Sequence, residues 1–289
     1  MTAHELASPD VIIDATDAVG EGPVIDPRTG ALVRVDIVAG GLHEVDLATG
    51  RSTSLIVPTL LGAVAPRSSH PGFAAAVSDG FGVIVDGELT VIDRCLPEPD
   101  LRMNDAKSDA RGRLWAGSCA LDFQPGRGRL HRWDGDTPSV IAATGRVLPN
   151  GLGWSPDSRR MYLADSMTHE VLVADFDLDG GAVGEFRPWV RVESGLPDGL
   201  AVDQDGAVWV AVWGGSEVLR FAPDGELVAR VPMPVSQPSS CTIAADGTLY
   251  ITSARAGLSE EALLLEPRAG SVFALAVGVP GVPIAPMEV

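Results

Sequence analysis

The chain has a single lysine, Lys107, and three cysteines, Cys95, Cys119 and Cys241, with no CxxC pair. One lysine leaves Schiff-base chemistry one candidate, and the flanking Asp105 and Asp109 are expected to keep that amine protonated. Three widely spaced cysteines support neither a disulfide framework nor a zinc cage and read as buried thiols in a reducing compartment. No apolar run approaches the roughly 18 residues needed to span a bilayer. The opening MTAHELASPD has neither a basic nor an apolar region of the secretory type, so a cytoplasmic location is expected. Bases are scarce: 21 Lys and Arg stand against 39 Asp and Glu, a net charge of −18. That balance repels phosphates and anionic membranes, so neither nucleic acid nor membrane is an expected partner. Oligomeric state has no signature in the chain.

GxSxG, HExxH and Walker sequences are absent, which removes the motifs of serine hydrolases, zincins and P-loop nucleotide binders. Low-complexity segments are absent too. Proline and glycine fall at turn intervals along the whole chain, so residues 1–289 are expected to form one domain. A chain of 289 residues buries a substantial core without covalent staples.

What is present is a repeat. RGRLWAG (Arg111–Gly117), SRRMYLAD (Ser158–Asp165), DGAVWVAV (Asp205–Val212) and DGTLYITS (Asp246–Ser253) each combine a turn with a strand bearing an aromatic residue. Thr29–Asp36 and Pro71–Asp79 follow the pattern more loosely. In register stand Val33, Ala75, Trp115, Tyr162, Trp209 and Tyr250, at intervals of 42, 40, 47, 47 and 41 residues. Between them lie hairpin signals such as VLRFAPDGELVARV and FGVIVDGELTVID, and hardly a helical window. About four strands per unit and six units predict an all-β fold, a six-bladed β-propeller. A two-sheet sandwich predicts no repeat near 45 residues. Val11–Thr16 is expected to pair with Gly270–Gly278 and close the ring, which removes exposed sheet edges.

Polar residues share the repeat's phase. Glu21, Asn104, Asn150 and Asp198 lie 12, 11, 12 and 11 residues before their register positions. Ser239 occupies this phase in unit six, and unit two offers only Val64. Equivalent positions on the innermost strands converge at one end of the central channel, so two carboxylates and two amides, written in the turn-like contexts EGP, ND, PNG and PDG, predict an oxygen-rich anionic pocket. Such a pocket suits a hard divalent cation. No histidine falls in phase, so calcium is the first candidate, then magnesium or manganese, with zinc last. One Asn or Asp before Gly signifies only a turn; four in one phase point to a site.

These stretches resemble the SMP-30/gluconolactonase/LRE family of six-bladed propellers. The resemblance rests on GEGPVID (Gly20–Asp26), RMNDAKSDARGRLWAGS (Arg102–Ser118), NGLGWSPDSRRMYLADS (Asn150–Ser166), PDGLAVDQDGAVWVAVWGG (Pro197–Gly215) and PSSCTIAADGTLYITSA (Pro238–Ala254). It implies Glu21, Asn150 and Asp198 as metal ligands and Asp198 also as general base. It further implies Arg102, Asn104 and Asp122 as substrate contacts, with Asn104 at or near the metal. Ile25, Ala106 and Cys119 depart from the family's usual Trp, Gly and Met, and Asp122 is one methylene shorter than the usual Glu. The activity so implied is metal-dependent opening of a sugar lactone. Organophosphate or ester hydrolysis on the same site, and a non-catalytic calcium-binding propeller, are the alternatives. Asp175–Gly180 mimics the start of an EF-hand loop, but Phe186 stands where its bidentate Glu belongs and a turn is expected. Trp115 and Trp209 are expected in the core.

Overall fold

The computed structural model describes residues 3–68, 70–136 and 138–289. Six antiparallel sheets follow one another along the chain. Their innermost strands are Gly20–Ile25, Leu61–Pro66, Leu101–Ser108, Pro149–Trp154, Leu196–Val202 and Pro238–Ile243. Each inner strand lies beside the next, and the sixth lies beside the first, so the sheets are the blades of a six-bladed propeller.

Each blade meanders outward by hairpins. The turn Asp86-Gly87, with φ of 51° and 81°, joins Gly80–Val85 to Glu88–Asp93. Both central residues of such a turn must adopt positive φ, which is why an Asp-Gly pair stands there. Ring closure comes from Asp10–Ile13, which pairs antiparallel with Val272–Ala276 as the outermost strand of blade six. The expected pairing of the N-terminal stretch with the last blade is therefore present. His4–Glu5 adds a fifth strand to blade five, parallel to Leu227–Pro232.

The aromatic register positions have a physical reason. Trp115 and Trp209 are 0% and 1% exposed, and each buried indole N–H needs an acceptor. It finds one in the aspartate that opens its own turn: Trp115 Nε1 donates to Asp109 at 2.8 Å and Trp209 Nε1 to Asp203 at 2.9 Å. The same carboxylates accept the turn's backbone amides, at Arg111 and Arg113 in one case and Asp205 and Ala207 in the other. Arg113 and Arg220 complete the two clusters. Asp109 thus serves its turn and its indole and does not hold Lys107, contrary to expectation.

After the last blade the chain runs back across the ring at the far ends of the inner strands. Val282 N donates to Val202 O in blade five and Met287 N to Pro66 O in blade two. Met287 is buried beside Phe81, Leu114 and Trp133. The EF-hand mimic is a hairpin: Asp177 caps the amide of Asp179, Asp179 pairs with Arg111, and Phe186 is in the core.

Asp203 links an indole, a guanidinium and two amides while fully buried. Asp203→Ala is expected to cost about 3–5 kcal/mol, because its charged and polar partners lose their acceptor inside the protein. Asp205→Ala, which removes a carboxylate 72% exposed, is expected to change stability by no more than about 0.5 kcal/mol. Urea unfolding of the two variants checks the contrast.

Candidate functional site

Each of the six inner strands breaks register near its start. The irregularities lie between Glu21 and Val24, Leu61 and Ala63, Met103 and Ala106, Pro149 and Leu152, Pro197 and Leu200, and Pro238 and Ser240. A β-bulge re-aims side chains and leaves residues unpaired with the neighbouring strand. The in-phase polar residues therefore sit in bulged strands and not in turns. The glycines beside them serve close approach: a Cβ on Gly151 would meet Leu200 N at 2.3 Å, and one on Gly199 would meet Ser240 Oγ at 1.9 Å. Neighbouring inner strands crowd there around the axis. In blade two the bulge carries Gly62, where a Cβ would meet Asn104 O at 2.2 Å, and Val64 lies in the core.

Glu21, Arg102, Asn104, Asn150 and Asp198 line one cavity of about 290 Å³ at the starts of the inner strands. Ser166 joins them from the loop of blade four. Asn150 Nδ2 donates to Ser166 Oγ at 3.1 Å and to Asp198 Oδ1. Arg102 Nη1 donates to Asn104 Oδ1 at 2.7 Å and to Met103 O at 3.0 Å, and Asn104 Nδ2 donates to Pro149 O. Glu21 accepts the amide of Gly22 at 2.9 Å.

Two expected positions fall elsewhere. Asp122 is exposed and does not line the cavity; its carboxylate accepts the amide of Gln124 at 3.1 Å. The residue that reaches the cavity wall from this loop is Phe123, held at φ 55°. Ser239 is buried and donates to Gly20 O, tying blade six to blade one, while its neighbour Ser240 bonds to Glu21. Of the positions where the resemblance is imperfect, Ile25 packs beside Leu32 and Tyr250 outside the cavity, and Cys119 is wholly buried.

A third carboxylate, Asp105, was not among the expected site residues. It shares the bulge with Asn104, and its burial beside Glu21 and Asp198 ties the three acids electrostatically. The signal was the ND dipeptide itself, since a bulge exposes two successive residues to the same region. Burial raises Glu21 to about 8, with Asp105 adding to the effect. Burial likewise raises Asp198 well above the carboxylate range, followed by repulsion from Glu21 and Asp105. Lys107 lies deeper on the axis, its Nζ donating to Leu200 O at 2.6 Å. Burial lowers its pKa and outweighs Asp105, so the amine is not held protonated as strongly as the flanking acids suggest. Cys241 is pushed up to about 12 by burial and is an inert thiol.

The donor set fits a hard cation. Asn150 Oδ1 is buried without a hydrogen-bond partner among the described residues, although its own Nδ2 has two. An orphaned buried acceptor in a cavity shared with two buried carboxylates is costly unless a positive charge satisfies it. Among the described residues no group of three or more His, Cys, Asp or Glu side chains forms a metal cage. The candidate set is two carboxylates and one amide, all oxygen.

The SMP-30/gluconolactonase/LRE-like region model matches residues 19–255. L-arabinolactonase of Azospirillum brasilense is 35% identical over 279 residues, 93% of this chain and 92% of that protein. Regucalcin of Danio rerio is 33% identical, over 95% of this chain and 96% of its own length. The crystal structure of a calcium-binding protein, regucalcin, from Agrobacterium tumefaciens superposes with a TM-score of 0.93 at 26% identity, covering all of both chains.

A carboxyl whose pKa is raised in the folded state contributes stability that is complete below its ordinary value and lost as pH rises through the folded value. For Glu21 that window runs from 4.5 to about 8. In the presence of a chelator the urea midpoint is expected to fall across this window, and Glu21→Gln is expected to flatten the fall. Equal slopes for the two proteins would remove Glu21 as its cause.

Proposed function

The chain belongs to the SMP-30/gluconolactonase/LRE-like family, and from that premise we propose that it is a divalent-metal-dependent lactonase that opens a sugar lactone. The observation that carries the reading is Asn150 Oδ1, a buried acceptor without a partner among the described residues, in one cavity with Glu21 and Asp198. Glu21, Asn150 and Asp198 would hold the cation. Their oxygen-only chemistry favours calcium, in keeping with the calcium-binding relative from Agrobacterium tumefaciens. A cation bound there supplies Lewis-acid polarisation of a carbonyl and lowers the pKa of a water.

The chain's own groups do the rest. Asp198 takes the proton of the attacking water, whose oxygen forms the new bond to the lactone carbonyl carbon. The ring C–O bond then breaks, and the proton passes to the departing ring oxygen to give the open hydroxy acid. Arg102 is pre-oriented by its bonds to Asn104 Oδ1 and Met103 O, and as a cavity-lining residue it has further N–H groups that would donate to substrate oxygen. One such donor to a developing oxyanion contributes about 2.7–4 kcal/mol. L-arabinolactonase of Azospirillum brasilense supports an aldonolactone as substrate class.

A pH-drop hydrolysis panel of aldonolactones, phosphotriesters and aryl esters, with EDTA and metal add-back, tests the reading. Chelator-sensitive opening of an aldonolactone is expected. Preference for a phosphotriester would replace the lactonase reading, and no EDTA-sensitive activity on any member would leave a binding propeller. Asp198→Ala is expected to lower kcat at least about 10³-fold, combining a lost base with a lost ligand. Arg102→Ala is expected to raise KM while metal affinity, read by calorimetry, changes less; an unchanged KM would remove Arg102 from substrate contact.

A further inference from the structure

The cavity is divided chemically. Its polar side chains come from the bulged inner strands, apart from Ser166, and several of them already bond to one another. Asn104 uses both ends of its amide, Ser166 Oγ accepts from Asn150, and Asp198 Oδ1 accepts from the same amide. Arg102 retains N–H groups beyond these bonds and, among the described residues, is the only cationic side chain lining the cavity. The remaining lining is apolar: Val19, Ile37 and Ala256 lie on the side of blades one and six, and the larger part, Phe123, Leu148, Met167, Leu196 and Trp213, comes from blades three, four and five. Among these five only the Trp213 indole can donate a hydrogen bond.

A hexonolactone carries its carbonyl and ring hydroxyls close together and projects an exocyclic tail away from the ring. The inner-strand floor has groups for the former. A tail that ends in a hydroxyl would lose water against the apolar wall with few partners to replace it, which is unfavourable. A tail that ends in a methyl would gain from the same surface. We propose that the preferred substrate is an uncharged lactone of a 6-deoxy sugar acid, its methyl end lying against the Phe123–Met167–Leu196–Trp213 wall. This rests on the lactonase reading and narrows it.

The test compares pairs that differ only in the C6 hydroxyl: L-fucono-1,4-lactone against L-galactono-1,4-lactone, and L-rhamnono-1,4-lactone against L-mannono-1,4-lactone. L-arabinono-1,4-lactone accompanies them as the reference aldonolactone. The deoxy member of at least one pair is expected to show a kcat/KM about 10–100-fold higher, the range over which an apolar pocket discriminates against an added hydroxyl. Turnover of the lactones with equal or better use of both hydroxylated members would overturn the inference while leaving the lactonase reading standing. No turnover of any of the five would overturn the lactonase reading itself. Met167→Gln keeps the side-chain length on a residue already 42% exposed, so folding is preserved. It is expected to lower the deoxy/hydroxy ratio at least threefold; an unchanged ratio would show that this wall does not read the tail.

Discussion

Three carboxylates, Glu21, Asp105 and Asp198, are buried at one end of a closed ring, where each opposes the ionisation of the others. Such a grouping is expensive inside a protein, and a fold keeps it only if the surroundings are too rigid to let the groups separate. The ring supplies that rigidity. Its blades are joined in a circle, the N-terminal strand Asp10–Ile13 completes blade six, and the C-terminal run ties blade five to blade two. No strand can shift outward without disturbing both neighbours. In the proposed reaction a bound cation would relieve that repulsion, with Glu21 and Asp198 among its ligands and Asp198 also as the base.

How the acids come to face the axis follows from backbone geometry. An unbroken inner strand would alternate its side chains between the two adjoining blades, as Val64 and Ala65 do by entering two different core clusters. The bulge in every inner strand interrupts that alternation near the strand's start. It places Asn104 with Asp105, Asn150 with Gly151, and Asp198 with Gly199 where the two strands lose register. The glycines admit the neighbouring backbone, so crowding around the axis and convergence of the polar groups have one cause. Away from the axis, the Asp109–Trp115 and Asp203–Trp209 clusters anchor two blades by the same local device, a turn aspartate that satisfies its own blade's indole.

The chemical division of the cavity is inherited from this architecture. Inner strands present polar groups because bulges turn those residues inward. The apolar wall combines strand ends, at Leu196 and Trp213, with the segments carrying Leu148, Met167 and Phe123, the last held by a loop that Asp122 caps at Gln124. A carboxylate expected to touch substrate thus shapes the backbone beside an aromatic residue that lines the cavity. Ser239 and Ser240 exchange roles in the same way: the first sutures two blades and the second meets Glu21.

The repeat near 45 residues, the hairpins and the pairing of the chain's two ends were legible from residue pattern alone, because strand alternation and turn chemistry are local and recur six times. The phase shared by Glu21, Asn104, Asn150 and Asp198 was legible for the same reason: rotation about one axis turns equal spacing into convergence. Asp105, Gly62, Ser240 and Phe123 were not, since a bulge moves a side chain by one position and a loop chooses its own direction. Those outcomes depend on which backbone atoms crowd the axis once six strands have met there, and that contact exists only in the closed ring.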